Sequence, residues 1–185
     1  MGEKELIKKA QKDSKIFGEI YDQYYPQIFG YILKRTANLE VAQDVTSETF
    51  FKALDKLWQF RWQGAPFSSW LYRIASNEIV NYYRKNKMAQ ISLESIIDPA
   101  AKGDPHQEII EAEEELKKHQ DFLLVQQKIS TLSIRYQEVL TLRFFEKKKI
   151  REIGEILGKR EGTIKSLLNR GLEKLREKEG GRGNL

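Results

Sequence analysis

The chain has 185 residues, 40% hydrophobic and 32% charged, a composition that suits one or two small folded domains. It contains no cysteine, which excludes disulfides and thiolate metal sites, and no apolar run approaches the roughly 18 residues of a membrane span. The formal net charge of +5 is uneven, because residues 89–120 hold eight acids and three bases while the flanks are basic.

Two basic parts around an acidic middle suit a polyanionic partner. The start "MGEKELIKKAQKD" lacks the apolar core of a secretory signal, so a cytoplasmic location without membrane insertion is expected.

Period-3.6 patterning dominates and no alternating strand is found, so an all-α fold is predicted. A first helix is expected near 4–12. Ser14 is the expected cap of a second, with Phe17, Ile20, Tyr21, Tyr24, Ile28, Tyr31 and Ile32 along one broad stripe. Asn38 is the expected cap of a third, "LEVAQDVTSETFFKALDKLW", with an apolar face of Val41, Val45, Phe50, Leu54 and Leu57.

"QFRWQGAPF" breaks the pattern. Gly64 marks a loop there, and Pro66 suits the first turn of the next helix, "FSSWLYRIASNEIVNYYRKN". Leu71, Ile74, Ala75, Ile79 and Tyr82 or Tyr83 are predicted to face inward. Arg73, Asn77, Asn81 and Arg84 are predicted on the polar side. Around the loop gather Trp58, Phe60, Trp62, Phe67 and Trp70, next to Arg73, Arg84 and Lys85. Aromatic faces beside cations can stack unpaired bases while neutralising phosphates. The plainer reading makes such rings core, and this is expected of Trp70, Tyr72 and about half of the others.

"AQISLESIIDPAAKGDP" reads as a linker, and helical pattern resumes from about 107 to 129. Ser133 is the expected cap of a helix running to Phe145. In "KIREIGEILGKREGTIKSLLNRGLEKLRE", Ile150, Ile153 and Leu157 share a face of one short helix. Gly158 sits where a left-handed turn is wanted, and Ile164, Leu167, Leu168, Leu172 and Leu175 line the next helix. That is a helix-turn-helix pattern, in which the second helix enters the major groove by its N-terminal residues. Residues 134–178 hold thirteen bases and seven acids. A solvated helical hairpin is the plainer reading of the same stretch.

In this order and spacing, three stretches resemble the sigma-70 family of bacterial RNA polymerase sigma factors, in its small extracytoplasmic-function (ECF) group. "AQDVTSETFFKAL" is similar to the family's polymerase-binding helix, "FSSWLYRIASNEIVNYYRK" to its minus-ten helix, and "IREIGEILGKREGTIKSLLNRGLEKLR" to its minus-thirty-five reader. The resemblance implies two helical domains, 1–88 and 108–185, joined by an acidic linker at 89–107 that threads the polymerase.

It further implies binding to the beta and beta-prime subunits of the core enzyme, to promoter DNA and to an anti-sigma factor. Asp44, Glu48, Phe50 and Lys52 would meet the polymerase clamp. Trp58, Phe60, Arg61 and Phe67, in and around the loop, would melt DNA and capture a flipped base; Arg73, Asn77, Asn81 and Arg84 would line the DNA path. Arg160, Glu161, Thr163, Lys165, Ser166, Asn169 and Arg170 would meet the minus-thirty-five duplex. Some positions depart from the family's pattern. Ser47 stands for glutamine, Asn81 for aspartate, Leu167 for arginine, and Gly154 and Gly171 for alanines that would favour the helix by about 1 kcal/mol each.

The rival reading is a helix-turn-helix regulator acting without polymerase, which leaves the aromatic loop and "QDVTSETFF" unexplained. No enzyme activity and no cofactor are expected: His106 and His119 lie in no catalytic setting, and no phosphate-cradling glycine loop is found. Glu108, Glu111 and Glu115 share a helical side, but such acidic runs are usually solvated surface, so no metal site is expected.

Overall fold

The computed structural model describes residues 2–62, 64–90 and 121–180, without the side chains of 87–90 and 178–180. Every regular element among these residues is helical. Residues 89 and 90, the expected start of the linker, still belong to the helix that ends at Gln90, while the rest of the linker, both histidines and the acids between 94 and 115 lie outside the described residues.

Helix α1 (Glu3–Ala10) buries Leu6, Ile7 and Ala10. A 3₁₀ turn (Ser14–Ile16) then leads directly into α2 (Phe17–Thr36). Ser14 is not the cap that the sequence suggests. Asp13 takes that role one residue earlier, its carboxylate accepting the Lys15 N–H at 3.0 Å, so the serine falls inside the turn. Asn38 caps α3 (Leu39–Lys56) as expected, accepting the Val41 N–H at 2.9 Å.

The inner stripe of α3 is Ala42, Val45, Thr46, Thr49, Phe50 and Ala53. Its two buried threonines donate back to the carbonyls of Ala42 and Val45, which leaves neither hydroxyl unsatisfied. Leu54, expected inward, is 40% exposed, because the inward line runs through Ala53 to Leu57 instead.

A second 3₁₀ turn (Leu57–Gln59) opens the loop, in which Gly64 adopts a φ of 85°. Few residues but glycine take that value without strain. Pro66 precedes α4 (Phe67–Gln90) and its carbonyl accepts the Ser69 N–H at 3.0 Å. Helix α4 buries Phe67, Leu71, Tyr72, Ile74, Ala75 and Ile79 against α2 and α3, closing a three-helix bundle. Tyr82 and Tyr83 are both half-buried.

The second half starts with α5 (residues 121–130) and α6 (Ile134–Leu140), which passes into a π turn (Thr141–Phe145). The Ser133 side chain does not cap α6. Gln137 fastens that corner instead, donating to the carbonyls of Ser130 and Leu132. Helices α7 (Ile150–Leu157) and α8 (Glu161–Gly180) pack with α6 through Tyr136, Leu140, Ile153, Ile156, Ile164 and Leu168.

Candidate nucleic-acid interface

The loop after α3 is held from a distance. Gln11, at the end of α1, donates its amide to the carbonyls of Leu57 and Phe60, both at 2.9 Å. Arg61 turns back on the Trp58 and Phe60 carbonyls at 2.8 and 3.2 Å. Phe60 is the hub of an aromatic cluster, meeting Trp62 at 6.1 Å, Phe67 at 5.1 Å and Trp70 at 5.2 Å between ring centres.

Cavities flank this ring. One, of about 250 Å³, is bounded by Phe60, Arg61, Ser69, Trp70, Arg73 and Glu155. Another, of about 290 Å³, lies between Lys4, Lys8, Gln11, Arg61 and Trp62, with Phe60 again on its wall. Each is too small for a drug-sized molecule and suits a single flat ring system.

The expected minus-ten residues separate by burial. Trp58 is 64% exposed and free to stack, and Phe60 is half-buried. Phe67 is fully buried, edge-on to Tyr24 at 5.4 Å, so it supports the loop from the core and presents no face to a base. Asn77 and Arg84 are exposed on α4, while Asn81 lies half-buried between the Glu78 carboxylate and Arg84. Arg73 is exposed, as expected of the polar side, but its guanidinium is already engaged. Its Nε donates to the Ile156 carbonyl at 3.1 Å and its Nη2 to that of Glu155, at the end of α7. These are the carbonyls that a helix C-terminus leaves without partners, and a cation suits that end of the helix dipole.

On α3, Asp44 and Glu48 are exposed. Lys52 is shared between Glu48 at 3.1 Å and the buried Glu78 at 2.6 Å, and those partners hold its ammonium above the usual lysine range. It thus pins α3 to α4. Phe50 is 3% exposed and lies against Phe17, Tyr21 and Tyr25. The phenylalanine on the open face is its neighbour Phe51, 67% exposed, beside Leu54 and Trp58.

The turn between α7 and α8 is tight. Gly158 sits at φ 64°, and the Lys159 N–H returns to the Gly154 carbonyl at 2.9 Å. Glu152 caps α7 by accepting the Lys149 N–H at 2.8 Å. Arg160, Glu161, Thr163, Lys165, Ser166, Asn169 and Arg170 are all exposed along α8, while Ile164 and Leu168 anchor its other side.

Gln11, Phe51, Glu146 and Glu155 hold or border these elements without a clear signal in the sequence. For Gln11 no local signal exists, since its partners lie 46 and 49 residues away. Glu146 shows only as a lone acid in "FFEKKK". Among the described residues, no group of three or more acids and histidines could hold a metal. No described helix is long and apolar enough to cross a membrane.

Residues 20–88 match Sigma-70 region 2, and residues 122–175 match Sigma-70, region 4. The chain is 32% identical over 155 residues to RNA polymerase sigma factor YlaC of Bacillus subtilis (strain 168), covering 82% of this chain and 85% of that one. It is 30% identical over 179 residues to ECF RNA polymerase sigma factor SigW of the same organism, covering 94% and 95%. To ECF RNA polymerase sigma factor BldN of Streptomyces coelicolor it is 29% identical over 174 residues, or 92% of this chain; it spans only 63% of that relative's length.

Among solved structures, CnrH in complex with the cytosolic domain of CnrY shares the fold, with a TM-score of 0.68 at 18% identity over 98% of this chain and 99% of that one. The sigma factor RpoE in complex with the anti-sigma factor NepR from Bartonella quintana gives a TM-score of 0.62 at 25% identity, covering 88% and 96%.

Proposed function

The chain belongs to the ECF group of sigma-70 RNA polymerase sigma factors, proteins that direct promoter recognition by that enzyme, and from this premise we propose how its own surfaces divide the task. The exposed face of α3, with Asp44, Glu48, Phe51 and Leu54, docks on the clamp of the core polymerase. Phe51 takes the contact that the sequence assigned to Phe50, since only Phe51 has an open ring.

Trp58, Phe60 and Arg61 hold the nontemplate strand at the minus-ten element, with one base in the cavity between Phe60 and Trp70. Asn77, Asn81 and Arg84 follow the strand along α4. The exposed side of α8, from Arg160 to Arg170, reads the minus-thirty-five duplex.

The observation that carries this reading is the loop. An exposed tryptophan, a ring-sized cavity and an arginine stand together on a loop whose first residues are held by Gln11. Duplex binding alone has no use for such a device. Stacking contributes roughly 1–3 kcal/mol per base, comparable to the cost of unstacking one. Strand separation then needs no hydrolysis by this chain, because preferential binding of the open strand shifts the equilibrium.

The linker residues 89–107 make the second DNA contact intramolecular. About 20 extended residues reach roughly 65–70 Å, close to two turns of duplex at about 34 Å each. Their acidity suits a basic channel in the polymerase, and an anti-sigma factor is a partner of the kind seen with RpoE.

Run-off transcription with purified core polymerase on genomic promoter fragments tests the reading. Added chain should bind core and yield new start sites. Duplex binding with neither core binding nor new transcripts would establish the rival, a regulator acting without polymerase.

A further inference from the structure

Glu78, Asn81 and Arg84 follow one another at a spacing of three along a single ridge of α4. They are joined in series. Glu78 is 9% exposed, and its two carboxylate oxygens go to different partners. Oε2 accepts from Lys52 of α3 at 2.6 Å, and Oε1 accepts from Nδ2 of Asn81 at 3.4 Å. Asn81 then offers its amide oxygen to Arg84, whose Nη2 donates to it at 3.2 Å. Arg84, the last of the series, is exposed.

Only one orientation of the Asn81 amide suits both neighbours. A carboxylate accepts and does not donate, and a guanidinium donates and does not accept. The NH2 of Asn81 therefore turns to Glu78 and its oxygen to Arg84. Glu78 is fixed in its own right, because a buried carboxylate is costly unless paired and Lys52 supplies the pair. That short, charge-assisted bond is the strongest link, so any side chain at position 78 that carries an oxygen turns it to Lys52 first.

Resting on the functional reading above, which lays Arg84 along the nontemplate strand, we propose that Glu78 is a positioning residue for promoter DNA: anchored by Lys52, it orients the Asn81 amide and thereby aims the Arg84 guanidinium at the strand. Glu78→Gln exposes the logic. Its oxygen goes to Lys52, so its NH2 faces Asn81. Asn81 must then turn over and present NH2 to Arg84, donor against donor, and Arg84 is released. Adding Asn81→Asp repairs the series, because a carboxylate accepts from Gln and Arg alike.

The test has two arms. In the free full-length chain, exchange of the Asn81 side-chain amide protons is followed by NMR; Glu78→Gln should speed it about fivefold, the loss of one net hydrogen bond. In holoenzyme with purified core polymerase, affinity is measured for fork-junction DNA with a single-stranded nontemplate minus-ten tail from the run-off promoters. Glu78→Gln should weaken binding about fivefold, and the further change Asn81→Asp should recover most of that loss. In an Arg84→Ala background, Glu78→Gln should change affinity by less than about twofold, since the residue through which it acts is gone.

A full fivefold effect of Glu78→Gln in the Arg84→Ala background would show a general structural role and overturn the proposal. Unaltered amide exchange, or no recovery with Asn81→Asp, would overturn it as well. If Glu78→Gln fails to fold by circular dichroism, Asn81→Ala is combined with Arg84→Ala in its place: non-additive losses support the series, and additive losses refute it. A parent holoenzyme that ignores the fork DNA refutes the functional reading, and the amide exchange then still decides whether Glu78 orients Asn81.

Discussion

The two unusual glycines of the second half should respond in opposite ways to the same substitution. Helix propensity alone predicts that alanine at Gly154 or Gly171 stabilises by about 1 kcal/mol. At Gly154, however, a Cβ would stand 2.7 Å from the Lys159 carbonyl oxygen. That oxygen belongs to backbone held by Gly158 in its left-handed conformation and by the Lys159 N–H on the Gly154 carbonyl. Forcing the turn open costs about 1–3 kcal/mol, as overpacking does elsewhere. Gly154→Ala should therefore destabilise by up to about 2 kcal/mol after the propensity gain of about 1 kcal/mol.

At Gly171 the nearest atoms are Leu140 Cδ1 at 3.2 Å and Cγ at 3.4 Å, the end of a side chain that can turn by a few tenths of an ångström. Gly171→Ala should keep most of its gain of about 1 kcal/mol. Thermal unfolding of the full chain by circular dichroism reads both, with each kcal/mol moving Tm by about 2–4 °C at this size. Equal rises in Tm for the two variants would show that the turn yields freely and that propensity governs both sites.

Other expectations follow from burial. Phe67→Ala should cost about 3–5 kcal/mol of stability, as deletion of a core ring does, whereas Trp58→Ala should leave Tm unchanged and slow open-complex formation in a stopped-flow melting assay. Phe51→Ala should weaken core binding in a fluorescence titration with Tm held, while Phe50→Ala should unfold the first bundle. Gln11→Ala should release the loop, slowing promoter melting without changing affinity for a minus-thirty-five duplex. Burial pushes the Glu138 carboxyl above its usual range, outweighing Arg35 and Lys159, so its contribution to stability is present at low pH and lost as pH rises through the folded value. Glu138→Gln should raise Tm at neutral pH, with the gain shrinking as pH falls toward about 4–5, where carboxylates protonate in any case.

Much of this molecule is legible in one dimension. The helical period, the Asn38 cap, the Gly64 and Gly158 turns and the exposed residues of α8 are local properties, set by contacts within a few positions along the chain. Burial of particular side chains is less so. Phe50 and Phe51 are adjacent and chemically identical, and only the placement of α2 against α3 decides which ring is inside. Phe67 looks like part of the loop in sequence, yet α2 covers it through Tyr24.

The chain by itself determined that the protein is helical and that it carries a helix-turn-helix and an aromatic-basic loop. Only the tertiary structure decided that Gln11 holds that loop, that Arg73 caps α7, and that Glu146 bonds Lys34 across 112 residues. The physical reason is separation along the chain. Periodicity and capping arise between near neighbours and leave a repeat in the sequence. A single long-range hydrogen bond depends on where two distant helices come to rest, and leaves no pattern to read.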